Sequence, residues 1–175
     1  MVSQRHSIVS RRQFALAALA CALLPGTLLP AAVAAQPVTR LTLRAADGTS
    51  HVFDDAALAR LPWHDIVTHT AWTEGPQLFR GPRLADVLSP FAGPPFALAQ
   101  RRLRLTALND FVIEIPASDA WTFDPILARE ANGVPMRVRD KGPLWLVYPR
   151  DSLPALQDPL MDERWIWQIR LIEVL

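Results

Sequence analysis

Six tryptophans in a chain of 175 residues are the most suggestive chemical feature of this sequence. Trp145, Trp165 and Trp167 lie within apolar runs and read as core, each needing only a partner for its indole N–H. Trp63, Trp72 and Trp121 stand beside loop signals instead. An aromatic face next to a carboxylate and a cation is what a flat, hydrogen-bonding heterocycle requires. The ring stacks, an Asp or Asn pairs with an amino-lactam edge, and an Arg or Lys holds a carbonyl or phosphate. Trp72, Asn109, Asp110, Arg139 and Lys141 could supply that set, and packing with solvated charge is the competing account of the same residues. Lys141 is the only lysine of the chain.

Other chemistries find less support. The chain has no nucleophile elbow, no phosphate-binding glycine loop and no His-Glu-x-x-His helix. His64 and His69 are five residues apart, which places them on opposite faces of a strand and misaligns them on a helix, so they read as surface or hydrogen-bonded histidines. Asp65, Asp110, Glu114 and Asp119 lie near predicted strand ends without sorting into an acid and base pair.

The elements that must position the heterocycle set begin with Leu103 to Pro116, LRLTALNDFVIEIP. Leu103, Leu105, Ala107, Phe111, Ile113 and Ile115 share one parity, so a continuous strand would point all of them, and Asn109, at a core. A hairpin turning at Asn109-Asp110 is the alternative, since both residue types tolerate positive φ. Upstream, Val38–Arg44 predicts a strand, Asp47-Gly48 a hairpin turn into Ser50–Phe53, and Asp54–Leu61 a short helix with an Asp cap and Pro62 as its stop. Trp63 to Trp72 predicts a strand whose end carries Trp72. Gln77–Pro82 is extended, and Leu84, Val87 and Leu88 share a helix face that ends by Pro90. Asn132-Gly133 is the strongest hairpin signal, and Arg139–Pro143 forms a charged tight loop entering a buried strand, Leu144–Tyr148. After a proline-rich loop, Trp165–Leu175 predicts the last strand. No repeat or linker interrupts this β-rich α+β domain of residues 36–175.

Residues 1–35 read as an export signal. Arg5, Arg11 and Arg12 precede an apolar run from Phe14 to Leu24, and small residues end at Ala34-Ala35, where cleavage is expected after either one. Ser10-Arg11-Arg12-Gln13-Phe14-Ala15 resembles the twin-arginine motif for already folded proteins, with general secretion as the other route. The expected location is the periplasm. Cys21 is the only cysteine, so the matured chain would carry no disulfide, no thiol nucleophile and no thiolate metal ligand. Cleavage also removes three arginines and no acid, leaving fifteen basic against seventeen acidic residues. A mildly acidic domain without a basic run argues against nucleic-acid binding.

The succession Phe79-x-Gly81-Pro82-x-Leu84-x-Asp86-Val87-Leu88, Ala107-Leu108-Asn109-Asp110-Phe111 with Ile115-Pro116, Asn132-Gly133-x-Pro135-Met136, Lys141-Gly142-Pro143-Leu144-Trp145-Leu146-Val147-Tyr148-Pro149 and Trp167-Gln168-Ile169 resembles the molybdopterin-binding domain of the sulfite oxidase superfamily. It is most similar to the small, single-domain periplasmic members from bacteria. The resemblance implies a mixed α+β fold with a pterin in a pocket lined by strand ends and loops. Catalytic members hold molybdenum through a cysteine thiolate, which the matured chain would lack, so no metal is expected from protein ligands. Cysteine-less relatives are similar to periplasmic proteins that bind a tetrahydropterin-type molecule and report it to a membrane-bound regulator. The resemblance thus implies a pterin sensor or carrier. Trp72 would stack, Asn109 or Asp110 would meet the aminopyrimidinone edge, Arg139 or Lys141 would hold the substituent, and Tyr148 joins the cofactor-binding set. The alternative is a molybdopterin-dependent oxidoreductase, and a third class is a structural interaction module.

Overall fold

The chain opens with a hairpin. β1 (Leu41–Arg44) and β2 (Ser50–Phe53) pair antiparallel through a turn in which Gly48 adopts φ 87° and the Asp47 carboxylate accepts the Thr49 amide at 2.8 Å. The structure is a computed structural model and describes residues 38–91 and 95–175; the expected export signal therefore lies outside the described residues. Helix α1 (Asp55–Arg60) starts where the Asp54 side chain accepts the Ala57 amide at 2.6 Å, the cap its sequence predicted, and it buries Leu58.

β3 (Trp63–Thr68) and β4 (Gln77–Pro82) form the next antiparallel pair. The predicted strand through Trp72 stops at Thr68, because the buried Thr68 hydroxyl accepts the Asp151 amide at 3.2 Å and fastens the chain to a distant turn. Trp72 accordingly sits in the loop that follows. Helix α2 (Leu84–Leu88) buries Leu84, Val87 and Leu88 as expected and continues into a 3-10 turn at Ser89–Phe91. A second short helix, α3 (Pro95–Ala99), precedes the hairpin of β5 (Arg102–Ala107) and β6 (Val112–Pro116). Leu103, Leu105 and Ile115 are buried, whereas Phe111 is 55% exposed, so the single-strand alternative fails at the loop.

α4 (Asp119–Thr122) leads to β7 (Ile126–Ala128), β8 (Glu130–Ala131) and β9 (Val134–Pro135). The β8–β9 turn is Asn132-Gly133 with φ 51° and 76°, both left-handed, as a two-residue hairpin turn needs. A 3-10 turn at Val138–Asp140, the buried β10 (Trp145–Val147), three further 3-10 turns between Arg150 and Arg164, and β11 (Ile169–Val174) complete the chain. The strand expected from Trp165 begins only at Ile169. Gln168 takes φ 59° and breaks it, leaving Trp167 bridged to Trp145 instead.

Among the described residues three sheets result: five strands in the order β2-β1-β11-β5-β6, four in the order β3-β4-β8-β9, and the pair β10-β7. β11 lies between a parallel neighbour, β1, and an antiparallel one, β5. Gly81 in β4 lets β7 approach closely, since a Cβ there would fall 2.1 Å from the Leu127 carbonyl oxygen. The molecule is a mixed α+β, β-rich domain, and among its described residues no helix is long and apolar enough to cross a membrane.

Candidate functional site

Four of the six tryptophans meet. Trp72 packs at 5.3 Å from Trp167, 6.0 Å from Trp165 and 6.3 Å from Trp145, measured between ring centroids. Trp145 and Trp165 are buried, Trp167 is half-buried and Trp72 is 38% exposed, so the cluster runs from the core to the surface. Its edge-to-face geometry is the one the ring quadrupole favours. The Trp72 loop is held by its own hydroxyls: Thr70 Oγ1 accepts the Trp72 amide at 3.1 Å and lies 2.9 Å from Thr73 Oγ1. It is also anchored to the opposite turn, where Asp151 Oδ2 takes both the His69 amide (2.9 Å) and His69 Nδ1 (2.8 Å).

Lys141 joins this cluster. It follows the 3-10 turn at Val138–Asp140 in a left-handed conformation, φ 71°, and its Nζ lies 5.3 Å from the Trp167 ring centroid and 5.6 Å from that of Trp145. Both distances fall within cation–π range, so the ammonium is held by ring faces. The Trp145 indole N–H is buried without a hydrogen-bond partner. An orphaned donor of this kind costs roughly 1–3 kcal/mol and marks a place where the fold leaves a polar valence open.

Beside the indoles lies a cavity of about 220 Å³ lined by Ala107, Asn109, Phe111, Trp165, Ile166 and Trp167. The β5–β6 loop supplies Asn109 and Phe111. It is longer than a two-residue turn: Asp110 N–H donates to Ala107 O at 3.2 Å, Ala107 N–H to Phe111 O at 2.9 Å, and Asn109 Oδ1 accepts the Phe111 amide at 3.2 Å. Asn109 thus borders the cavity. Asp110, at φ 63°, turns the other way, and its carboxylate receives Arg170 Nη2 at 2.5 Å, while Arg170 Nε donates to Ala107 O at 3.1 Å.

Of the remaining predicted residues, Tyr148 packs against the buried side of the cluster, its ring centroid 6.0 Å from that of Trp165, and Arg139 makes no such contact. Arg139 shares the Lys141 turn but is strongly exposed beside Asp140, at 3.7 Å. Tyr148 is fully buried, and its hydroxyl donates to Asp119 Oδ2 at 3.0 Å. Burial first and the Asp119 carboxylate second push the Tyr148 phenol well above its ordinary pKa, so it stays neutral and donating. Asp119 is buried too, and Arg164 Nη1 donates to both its oxygens at 2.8 and 2.7 Å.

Gln168, inside the Trp167-Gln168-Ile169 motif, carries no site signal of its own in the sequence. Its carbonyl accepts the Leu108 amide at 2.9 Å, its own amide donates to Lys141 O at 3.3 Å, and its Nε2 donates to Val138 O at 2.7 Å. One residue therefore ties the Asn109 loop to the Lys141 loop across the cavity side. Arg164 and Arg170 had no local signal, because their partners lie 45 and 60 residues away.

The histidines stay separate, His64 near Asp86 at 3.8 Å and His69 on Asp151. Among the described residues no three His, Cys, Asp or Glu side chains gather in a way that could hold a metal ion. Together with the absence of any cysteine after Cys21, the donor set does not fit a thiolate-held molybdenum.

No protein-family model matches the sequence, and no curated protein matches it. Among solved structures, the chain is similar to the sulfane dehydrogenase SoxCD from Paracoccus pantotrophus, with a TM-score of 0.57 and 18% sequence identity, over 78% of this chain and 38% of that one. The chain thus spans well under half of the protein chain it matches. At this identity the likeness is one of fold, and it sets this β-rich mixed α+β domain beside a domain of an oxidoreductase.

Proposed function

We propose that this chain is an exported pterin-binding protein, a periplasmic sensor or carrier with a fold of the sulfite oxidase molybdopterin-binding type. The observation that carries the reading is the half-exposed Trp72–Trp167 face, with Lys141 over the indoles and Asn109 at the edge of the adjoining cavity. A flat heterocycle fits the chemistry of each part. The indoles stack it, Asn109 offers both an acceptor and donors to an aminopyrimidinone edge, and Lys141 donates to a ring carbonyl. Asp110 serves by fixing the loop through Arg170, and Tyr148 by fixing Asp119, so neither is needed as a direct ligand contact. Delivery of the signal to the periplasmic domain of a membrane regulatory protein completes the reading.

Titrating the purified protein with a tetrahydropterin and with molybdopterin tests this. Saturable binding of the tetrahydropterin, weakened about tenfold in Trp72→Ala, is expected; failure of both compounds to bind rejects it. Sequencing the mature N-terminus from a periplasmic fraction should find a start at residue 35 or 36.

The likeness to a sulfane dehydrogenase favours a second reading, a molybdopterin-dependent oxidoreductase. No cysteine follows Cys21, so after the expected cleavage no thiolate would be available to hold its metal. Stoichiometric molybdenum in protein purified from its own export pathway would replace the first reading with this one.

A further inference from the structure

Phe111 borders two cavities. On one side is the indole-lined space of about 220 Å³; on the other is a more polar one of about 490 Å³, lined by Phe111, Ile113, Glu114, Leu160, Glu163 and Arg164. Ligand pockets usually measure roughly 300–1,000 Å³, so the first alone holds a ring and little else. A ring seated there would run its substituent past the exposed Phe111 into the second.

The charges of that second chamber are unequal in their commitments. Arg164 is held rigidly and neutralised by the buried Asp119, at 2.7 and 2.8 Å, and Asp119 is itself fixed by the Tyr148 hydroxyl. Glu114 is matched by Arg102 at 3.2 Å and Arg104 at 2.8 Å. Glu163 is exposed and makes no ion pair among the described residues. The chamber thus presents a preorganised donor whose charge is already cancelled, next to an acceptor whose charge is not. A phosphate or carboxylate would face Glu163 without an uncommitted cation in return.

We propose that Glu163 is a specificity-determining residue of the pterin site: it admits an uncharged substituent that donates to it and accepts from Arg164, and it rejects an anionic one. This rests on the pterin reading and adds to it the class of substituent, disfavouring both a phosphate-bearing and a glutamate-bearing pterin.

The test compares tetrahydrobiopterin, whose substituent is uncharged, with tetrahydrofolate, whose glutamate is anionic, on the full matured protein and on Glu163→Gln. The wild type should prefer tetrahydrobiopterin. Glu163→Gln should strengthen tetrahydrofolate binding about tenfold, as removal of one close like charge implies, with tetrahydrobiopterin changed less than about threefold. Raising the salt concentration should shrink the gap in the wild type and leave it unchanged in the variant. Glu163 is exposed, so the variant is expected to fold, and comparing the same two compounds on both proteins cancels their difference in size. If tetrahydrofolate binds Glu163→Gln no better than the wild type, or if the wild type prefers tetrahydrofolate, the inference falls while the pterin reading stands. If neither compound binds the wild type, both fall.

Discussion

Two regions of this molecule treat charge in opposite ways. Across the five-stranded sheet, register sets Arg44 opposite Glu173, Glu173 opposite Arg104 and Arg104 opposite Glu114, an alternating row over β1, β11, β5 and β6. Its ion pairs, Arg44–Glu173 at 3.2 Å and Arg104–Glu114 at 2.8 Å, are solvated and satisfy one another. Around the indoles, Lys141 is held by ring faces, the Trp145 N–H has no partner, and Asp110, Lys141 and Gln168 occupy left-handed backbone. The row is what a sheet face does when its charges can pair across neighbouring strands, and its edge residue, Glu114, also lines the chamber beside Phe111. The cluster retains open valences and strained residues, and these are what a ligand can use.

The sharpest break of this contrast comes where pairing and burial combine. Asp119→Ala leaves the Tyr148 hydroxyl and Arg164 without their shared acceptor. Its cost should be about 3 kcal/mol, the lower end of the range for a broken buried pair, because Arg164 retains some solvent. The shift of the urea midpoint at constant slope measures it, and a loss under about 1 kcal/mol would show that Asp119 is better hydrated than its burial implies.

Of comparable size is the first of a pair of tryptophans from the same cluster, and the second should cost less. Trp145→Ala removes a fully packed ring and should cost about 3–5 kcal/mol of stability. Trp72→Ala removes a ring that is 38% exposed, so it should cost less, about 2 kcal/mol, while lowering tetrahydropterin affinity about tenfold, the worth of one good stacking contact. Paired denaturation and binding measurements separate the two roles. Equal stability losses would mean that Trp72 is packing alone.

The positions where sequence reading succeeded are those where a short stretch decides its own shape. The Asp54 cap, the Asp47-Gly48 turn and the Asn132-Gly133 turn each depend on side-chain chemistry within three residues. The apolar face of α2 follows from spacing in the same way. Failures came where a distant partner outvoted local pattern. The last strand breaks at Gln168 because Trp167 bridges Trp145 while Ile169 onward pairs with β5 and β1, and nothing between Trp165 and Leu175 announces that division. Trp72 left the strand end because Thr68 is tied to Asp151. Residue types marked Trp72, Asn109, Asp110, Arg139 and Lys141 as candidates, yet the sequence could not show that Trp72 and Lys141 pack on Trp145 and Trp167 while Asn109 lines the adjoining cavity. Nor could it separate Asn109, on the cavity, from Asp110, on Arg170.

The smallest expected effect belongs to the charge row and tests whether it is as inert as its solvation suggests. Hydrogen bonds from Arg104, then from Arg102, hold the Glu114 carboxyl below its ordinary pKa. A carboxylate with a depressed folded-state pKa contributes stability that is fully present above its unfolded value, about 4.3, and is lost as pH falls through the lower folded value. Glu114→Gln should therefore be slightly less stable than the wild type at pH 7, with the two urea midpoints converging as the pH is taken below about 4. High salt should shrink the neutral-pH difference, because both partners face solvent. A difference that persisted undiminished at low pH would mean that Glu114 acts through packing on β6 rather than through its charge, and the row could no longer serve as the inert half of the comparison.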